Sequence, residues 1–196
     1  MRSKSLILLL TILPLSGCIA AAAGAGLWAG TASVQDRGIG GQAIDVRIHT
    51  DISDRLYRED LKLHDNITLK VYNRRVLMMG FARSAEVKRR AVELAREVKG
   101  VREIFDEIQI GNATSFSDRA RDQWIETQLD SQLTFAENVH NMNYATQVIN
   151  GTVYIIGIAQ DEREMQRVLW LVRRVAGVKR VLSFIEVKGN VVPYRS

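Results

Sequence analysis

The chain repeats itself. Laid against residues 148–187 at a shift of 77 positions, residues 71–110 match without a gap, and 12 of the 40 pairs are identical. The identities include Val71/Val148, Asn73/Asn150, Val76/Val153, Gly80/Gly157, Ala82/Ala159, Leu94/Leu171, Gly100/Gly177 and Val101/Val178. Many mismatches keep their character, as in Met79/Ile156, Ile104/Val181 and Ile110/Val187. The shift extends upstream, where Ile48, Ile52 and Leu56 fall on Ile125, Leu129 and Leu133. One folding unit of roughly 70 residues is therefore written twice, and any fold assigned to the chain has to serve both copies.

The periods inside each copy change in a fixed order. Three apolar residues at steps of four put one buried stripe on a leading helix, predicted at 42–60 and 118–134. Ile67, Leu69 and Val71 then alternate with polar residues, the pattern of a strand. Asn73-Arg74-Arg75 in the first copy and Asn150-Gly151 in the second turn the chain into a second strand, Val76–Ala82 or Val153–Ala159. Asn-Gly tolerates positive φ at both central positions of a tight hairpin, so the second copy carries the clearer turn signal. Ser84 and Asp161 are placed to cap a second helix, and Gly100 and Gly177 are expected to close it in a left-handed conformation. A last strand follows at 101–110 or 178–187. The predicted class is α+β, with two tandem αββαβ units, each packing two helices on one face of a three-stranded mixed sheet. Gly80 and Gly157 interrupt apolar strands, which marks a bulge or a close backbone approach. A core this small is nearly balanced by chain entropy, so a contact between the copies is expected.

Upstream of the duplication the chain reads as an export and anchoring segment. Arg2 and Lys4 precede an apolar run from Leu6 to Leu15, and Leu15-Ser16-Gly17-Cys18 ends it with small residues before the only cysteine. That order suits a bacterial lipoprotein signal, cleaved after Gly17 so that Cys18 becomes an acylated amino terminus. The competing reading is an uncleaved anchor, since Leu6 to Trp28 is about 20 mostly apolar residues, long enough to span a bilayer. Pro14, Ser16 and the glycines that follow make that stretch a poor helix. The organisation expected is a signal at 1–17, a flexible tether at 18–41, repeat units at 42–111 and 117–189 with a polar linker between them, and a tail at 190–196. Ile19 after the cysteine, where a retention signal would carry Asp, favours the periplasmic face of an outer membrane by analogy with sorting rules.

Composition excludes several classes. Removing residues 1–17 takes away two of the 27 basic residues and none of the 22 acidic ones, leaving a net charge of +3. That is too mild for a nucleic-acid-binding surface. His49, His64 and His140 lack a metal-ligand spacing, and no phosphate loop, HExxH or nucleophile elbow is present. No catalytic residue, metal or cofactor is expected.

Two exposed tryptophans are the candidate functional residues. Steps of 100° along 118–134 put Ile125, Leu129 and Leu133 toward the core and Trp124 off that stripe, with Arg121, Thr127, Gln128 and Ser131 on its side. The first copy has Arg47 at the equivalent place, so the fold does not demand an aromatic there. An indole flanked by polar groups suits the headgroup–acyl boundary of a membrane, and packing against the other copy is the alternative. On the second helix of the same copy, Met165, Val168, Leu169 and Val172 form the core stripe, and Trp170 falls opposite with Arg163, Arg167 and Arg174. This secondary surface is either a membrane or protein contact, or a local cation–π stack on a solvated face. Tail residues Val191 to Arg195 are candidates to cover part of it.

The duplicated pattern resembles the BON domain. Its glycine signature is carried by Val76-Leu77-Met78-Met79-Gly80 with Val98-Lys99-Gly100-Val101, and by Asn150 to Gly157 with Val175-Ala176-Gly177-Val178. A lipobox followed by two such units is similar to the DolP (YraP) family of outer-membrane lipoproteins, and Asp122-Gln123-Trp124-Ile125 opens the second copy as in that family. The resemblance implies a non-enzymatic protein that binds anionic phospholipid through its second BON domain and supports envelope integrity. The chain departs from the family where Gln128 and Asp130 stand at sites that are commonly basic, which implies weaker attraction to acidic headgroups. A scaffold for outer-membrane assembly or division proteins, attached only through its acyl chains, is the other function compatible with these residues.

Overall fold

The computed structural model describes residues 38–189. The signal segment, Cys18, nearly all of the tether and the tail lie outside the described residues. The first copy comprises α1 (Gly38–Glu59), the short α2 (Leu61–Asn66), β1 (Ile67–Tyr72), β2 (Arg75–Ala82), α3 (Ala85–Arg96) and β3 (Glu103–Ile110). The second comprises α4 (Phe116–Thr134), a single 3₁₀ turn at Asn141–Asn143, β4 (Tyr144–Ile149), β5 (Thr152–Ala159), α5 (Glu162–Arg174) and β6 (Arg180–Val187). In each sheet the middle strand pairs antiparallel with its hairpin partner and parallel with the last strand, which gives the expected mixed sheet. Ser84 and Asp161 cap α3 and α5, accepting hydrogen bonds from the amides of Val87 and Glu164.

Both hairpins turn on two residues with positive φ, Asn73 and Arg74 (52° and 62°) and Asn150 and Gly151 (53° and 76°). Arg74 holds a conformation that side chains disfavour, and a buried acid shows how it is maintained. The Asp45 carboxylate accepts hydrogen bonds from the amides of Asn73 and Arg74, each at 2.8 Å. Asp122, 77 residues on, accepts from Asn150 at 2.7 Å and Gly151 at 2.8 Å. Each leading helix is thus clamped to its hairpin by charge-assisted hydrogen bonds. Arg75, which the sequence placed in the turn, is instead the first residue of β2.

The two C-cap assignments need correction. Gly100 and Gly177 do have positive φ, 100° and 88°, but they lie beyond the ends of α3 at Arg96 and α5 at Arg174. Each occupies the third place of a separate turn, closed by Val101 N–H to the Val98 carbonyl and by Val178 N–H to the Val175 carbonyl. That turn delays the last strands to Glu103 and Arg180. Gly80 and Gly157 mark a close approach rather than a bulge, since β2 and β5 stay in register through both. A Cβ on Gly80 would sit 2.1 Å from the Asn66 carbonyl oxygen, and one on Gly157 would sit 2.2 Å from that of Asn143.

The central strands are buried on both faces, which accounts for their unbroken apolar runs. Val76 and Met78 face Ile48, Ile52 and Leu56 beneath the helices, and Val153 and Ile155 face Ile125, Leu129 and Leu133. The alternate residues Leu77 and Met79 meet Tyr154, Ile156 and Ile158 in a third cluster that both copies share. The expected contact between copies is therefore sheet against sheet, and the partly buried Phe105 and Phe184 pack against that cluster with their rings 4.5 Å apart. The helices form the two outer layers.

Candidate functional site

α4 starts from Ser115, whose hydroxyl accepts from the amide of Asp118, and continues until Phe135 closes it. Ile125, Leu129 and Leu133 are fully buried, so rotation by 100° per residue fixes what points outward. Phe116, Ala120, Trp124, Thr127, Ser131 and Phe135 share the opposite side, and none carries a formal charge. Phe116 is 82% exposed, Trp124 54% and Phe135 84%. This strip runs the length of the helix, about 28 Å. Apolar rings this exposed, aligned along one helix face, favour contact with an apolar surface.

The sequence-chosen residues divide on this face. Trp124, Thr127 and Ser131 lie together on the strip and are exposed. Arg121 stands at its edge, 3.1 Å from Asp118. Gln128 is half-buried, and its amide nitrogen is out of solvent. The edge of the Trp124 ring leans over the Gly177 turn of its own copy, where a Cβ would come within 3.7 Å of Cζ3. Phe116 and Phe135 were missed by sequence reasoning, although extending the same 100° projection by one turn at each end would have found them. Asp122 was missed as a supporting residue. It is almost completely buried two positions before Trp124, and its clamp on Asn150 and Gly151 fixes the stretch of α4 from which that ring projects.

Glu126 faces a polar groove between α4 and the edge of the first copy. Burial holds its carboxyl above the usual range, partly offset by Lys70. Because the folded-state value is raised, the ionised form opposes folding above that value, and the penalty disappears below the unfolded value, where both states are neutral. Glu126→Gln is therefore expected to raise the melting temperature at pH 7. The gain should vanish near pH 4 (about the model-peptide value), and calorimetry at both pH values would check this.

On α5, Val168 and Val172 are fully buried and Trp170 is 55% exposed. The Arg174 guanidinium stacks 4.6 Å from the centroid of the Trp170 ring, and Arg167 donates to the Glu137 carbonyl at 3.1 Å. Arg163 is exposed on the same side. Elsewhere, the groove between α1 and α3 is lined by Glu59 paired with Arg90 and Asp60 paired with Arg83. The Arg90 hydrogen bond holds the Glu59 carboxyl below its ordinary range. Among the described residues no group of His, Cys, Asp and Glu could hold a metal ion.

Comparison with known proteins fits this geometry. A family model described as the BON domain matches residues 44–112 and 121–189, one match for each copy. The chain belongs to the BON domain family. It is 27% identical over 181 residues to the outer membrane lipoprotein DolP of Haemophilus influenzae, covering 92% of this chain and 93% of that one. A protein of Anaplasma centrale known from the gshII 5′ region is 28% identical over 147 residues, 74% of this chain and 96% of its own. A 21 kDa hemolysin of Actinobacillus pleuropneumoniae is 28% identical over 156 residues, 79% of this chain and 80% of its own. Both BON domains thus map onto the duplicated units, and the aromatic strip belongs to the first helix of the second one. No helix among the described residues is long and apolar enough to cross a membrane.

Proposed function

We propose that this BON protein is an outer-membrane lipoprotein, anchored through acyl chains on Cys18, whose second domain docks on phospholipid through α4 and helps keep the envelope intact. One observation carries the docking step: the uncharged outward strip of α4, with Trp124 at its middle and Phe116 and Phe135 at its ends. Tryptophan suits this position because its ring enters the acyl boundary while its N–H stays hydrated. The anchoring step draws on the Leu15 to Cys18 motif and on the likeness, along nearly the whole chain, to a protein named an outer membrane lipoprotein. Nineteen residues separate Cys18 from Gly38, and fully extended they reach about 65 Å, enough for either outer layer to meet the bilayer.

The test uses the unacylated chain, residues 18–196 with Cys18→Ser, and vesicles of phosphatidylethanolamine and phosphatidylglycerol. Trp124→Glu is expected to lower vesicle partitioning roughly a hundredfold, since about 125 Å² of exposed ring is withdrawn from lipid. Unchanged partitioning would leave the acyl chains as the sole attachment and favour a scaffold for other envelope proteins.

A further inference from the structure

The duplication supplies an internal control for α5. On the outward side of α3, Glu86, Glu93 and Glu97 balance Arg89, Arg90 and Arg96, and several are paired: Arg90 with Glu59 at 3.0 Å, and Arg55 with Glu97 at 2.7 Å. A shift of 77 turns these six positions into Arg163, Gln166, Arg167, Trp170, Arg173 and Arg174. Every acid has gone, and four arginines stand where the first copy is neutral. All six of these α5 residues are exposed. Among the described residues Arg163, Arg173 and Arg174 have no carboxylate partner, whereas α3 is laced with ion pairs. The fold cannot require this charge, because the other copy adopts the same fold without it.

α4 and α5 lie on the same face of one sheet and share one core, in which Ile125 and Leu129 join Val168 and Val172. Their outward sides therefore face the same way, and one plane can touch both. The two sides are complementary: α4 offers rings without charge, and α5 offers charge around one ring. We propose that α5 is the headgroup-selecting element of the second domain, with Arg163, Arg167, Arg173 and Arg174 binding the phosphodiesters of anionic phospholipid while α4 inserts its aromatic strip. Guanidinium groups suit this task because their planar donor forks match phosphate oxygens. Arg174 contributes twice, since its stack on Trp170 sets the ring and the cation at one level. This assignment rests on the docking of α4 described above. It also gives the chain the cationic surface that Gln128 and Asp130 deny to α4.

The experiment compares unacylated chains on two vesicle compositions, phosphatidylcholine alone and phosphatidylcholine with about one-third phosphatidylglycerol, which adds a negative surface potential to the same bilayer. Arg163→Glu with Arg174→Glu installs the residues that the first copy carries as Glu86 and Glu97, so the scaffold accepts them. At about 1 kcal/mol for each unit of surface charge, this double variant should lose at least a hundredfold in partitioning to the acidic vesicles. Partitioning to the neutral vesicles should stay within about twofold, because that arm depends on α4. Equal losses on both compositions, or no loss on either, would overturn the assignment of α5. Trp124→Glu run in parallel separates the two claims: if it too has no effect, the docking of α4 has failed, and if it alone has an effect, only the α5 assignment has failed.

Discussion

Gly80→Ala is expected to unfold the first BON domain at ordinary temperatures. The added methyl would lie 2.1 Å from the Asn66 carbonyl oxygen, and that atom belongs to backbone held between α2 and β1. No rotamer change can relieve the overlap, so β2 must move away from β1 or the helix must lift. Gly80 also has a φ of 110°, a region in which a side chain adds strain of about 1–2 kcal/mol. Together these should cost more than about 4 kcal/mol, a large share of what a domain of this size has in total. Gly157→Ala meets the Asn143 oxygen at 2.2 Å without the positive φ, and it should cost somewhat less. The control is Gly40→Ala in α1, where nothing lies within 4 Å and helix propensity should add up to ~1 kcal/mol of stability. Urea titrations of the three variants check the order, and a Gly80→Ala midpoint within experimental error of the parent would show that the approach of Asn66 is not a constraint.

These glycines show how much the sequence alone conveys. Duplication doubles every signal, so the leading helices, hairpins, capped helices and parallel last strands could all be read from two noisy copies. A pattern that appears twice also removes chance: Gly80 and Gly157 were recognisable as a bulge or a close approach because both interrupt strands that are otherwise apolar, and only the folded backbone decides between the two. What could not be read depends on contacts between distant residues. Asp45 and Asp122 look like ordinary helix-surface acids, and only the hairpin folded beneath them turns them into buried acceptors. The strip on α4 was half legible. Trp124 stood out by its type, whereas Phe116 and Phe135 fall at helix ends, where the projection is cut off before it reaches them. Arg75 was the least legible of all. Its sequence neighbours suggest an exposed turn, yet the second copy covers it, and nothing local encodes which sheet face will dock.

That burial makes Arg75→Ala the second large effect. The Arg75 side chain is 5% exposed at the seam between the sheets, donating to the Phe184 carbonyl at 2.9 Å and to Glu103 at 3.2 Å, with Glu186 3.5 Å away. Burial pulls its pKa below the usual guanidinium value, and the carboxylates of Glu186 and Glu103 pull the other way. Its removal strands the Phe184 carbonyl and leaves Glu186 with Arg102 alone, at 2.6 Å. Stranded polar groups cost more than the bond itself contributed, so a loss of about 3 kcal/mol is expected. The loss should fall on the joint between the copies. Urea unfolding, expected to be a single transition in the parent, should then separate into two steps as each core melts with its own midpoint. Arg75→Met combined with Glu186→Gln tests the cause, because it fills the space and removes the carboxylate charge that Arg75 had helped to balance. If the ion is what matters, that double variant should recover more than half of the lost stability. If packing over Phe105, which the guanidinium covers at 4.8 Å, is what matters, Arg75→Met alone should do so. A joint whose buried cation comes from the first copy is asymmetric, since the second copy has Thr152 at the equivalent position. The two domains are therefore not interchangeable at their shared face, and the duplication has diverged there just as it has on the outward faces of α4 and α5.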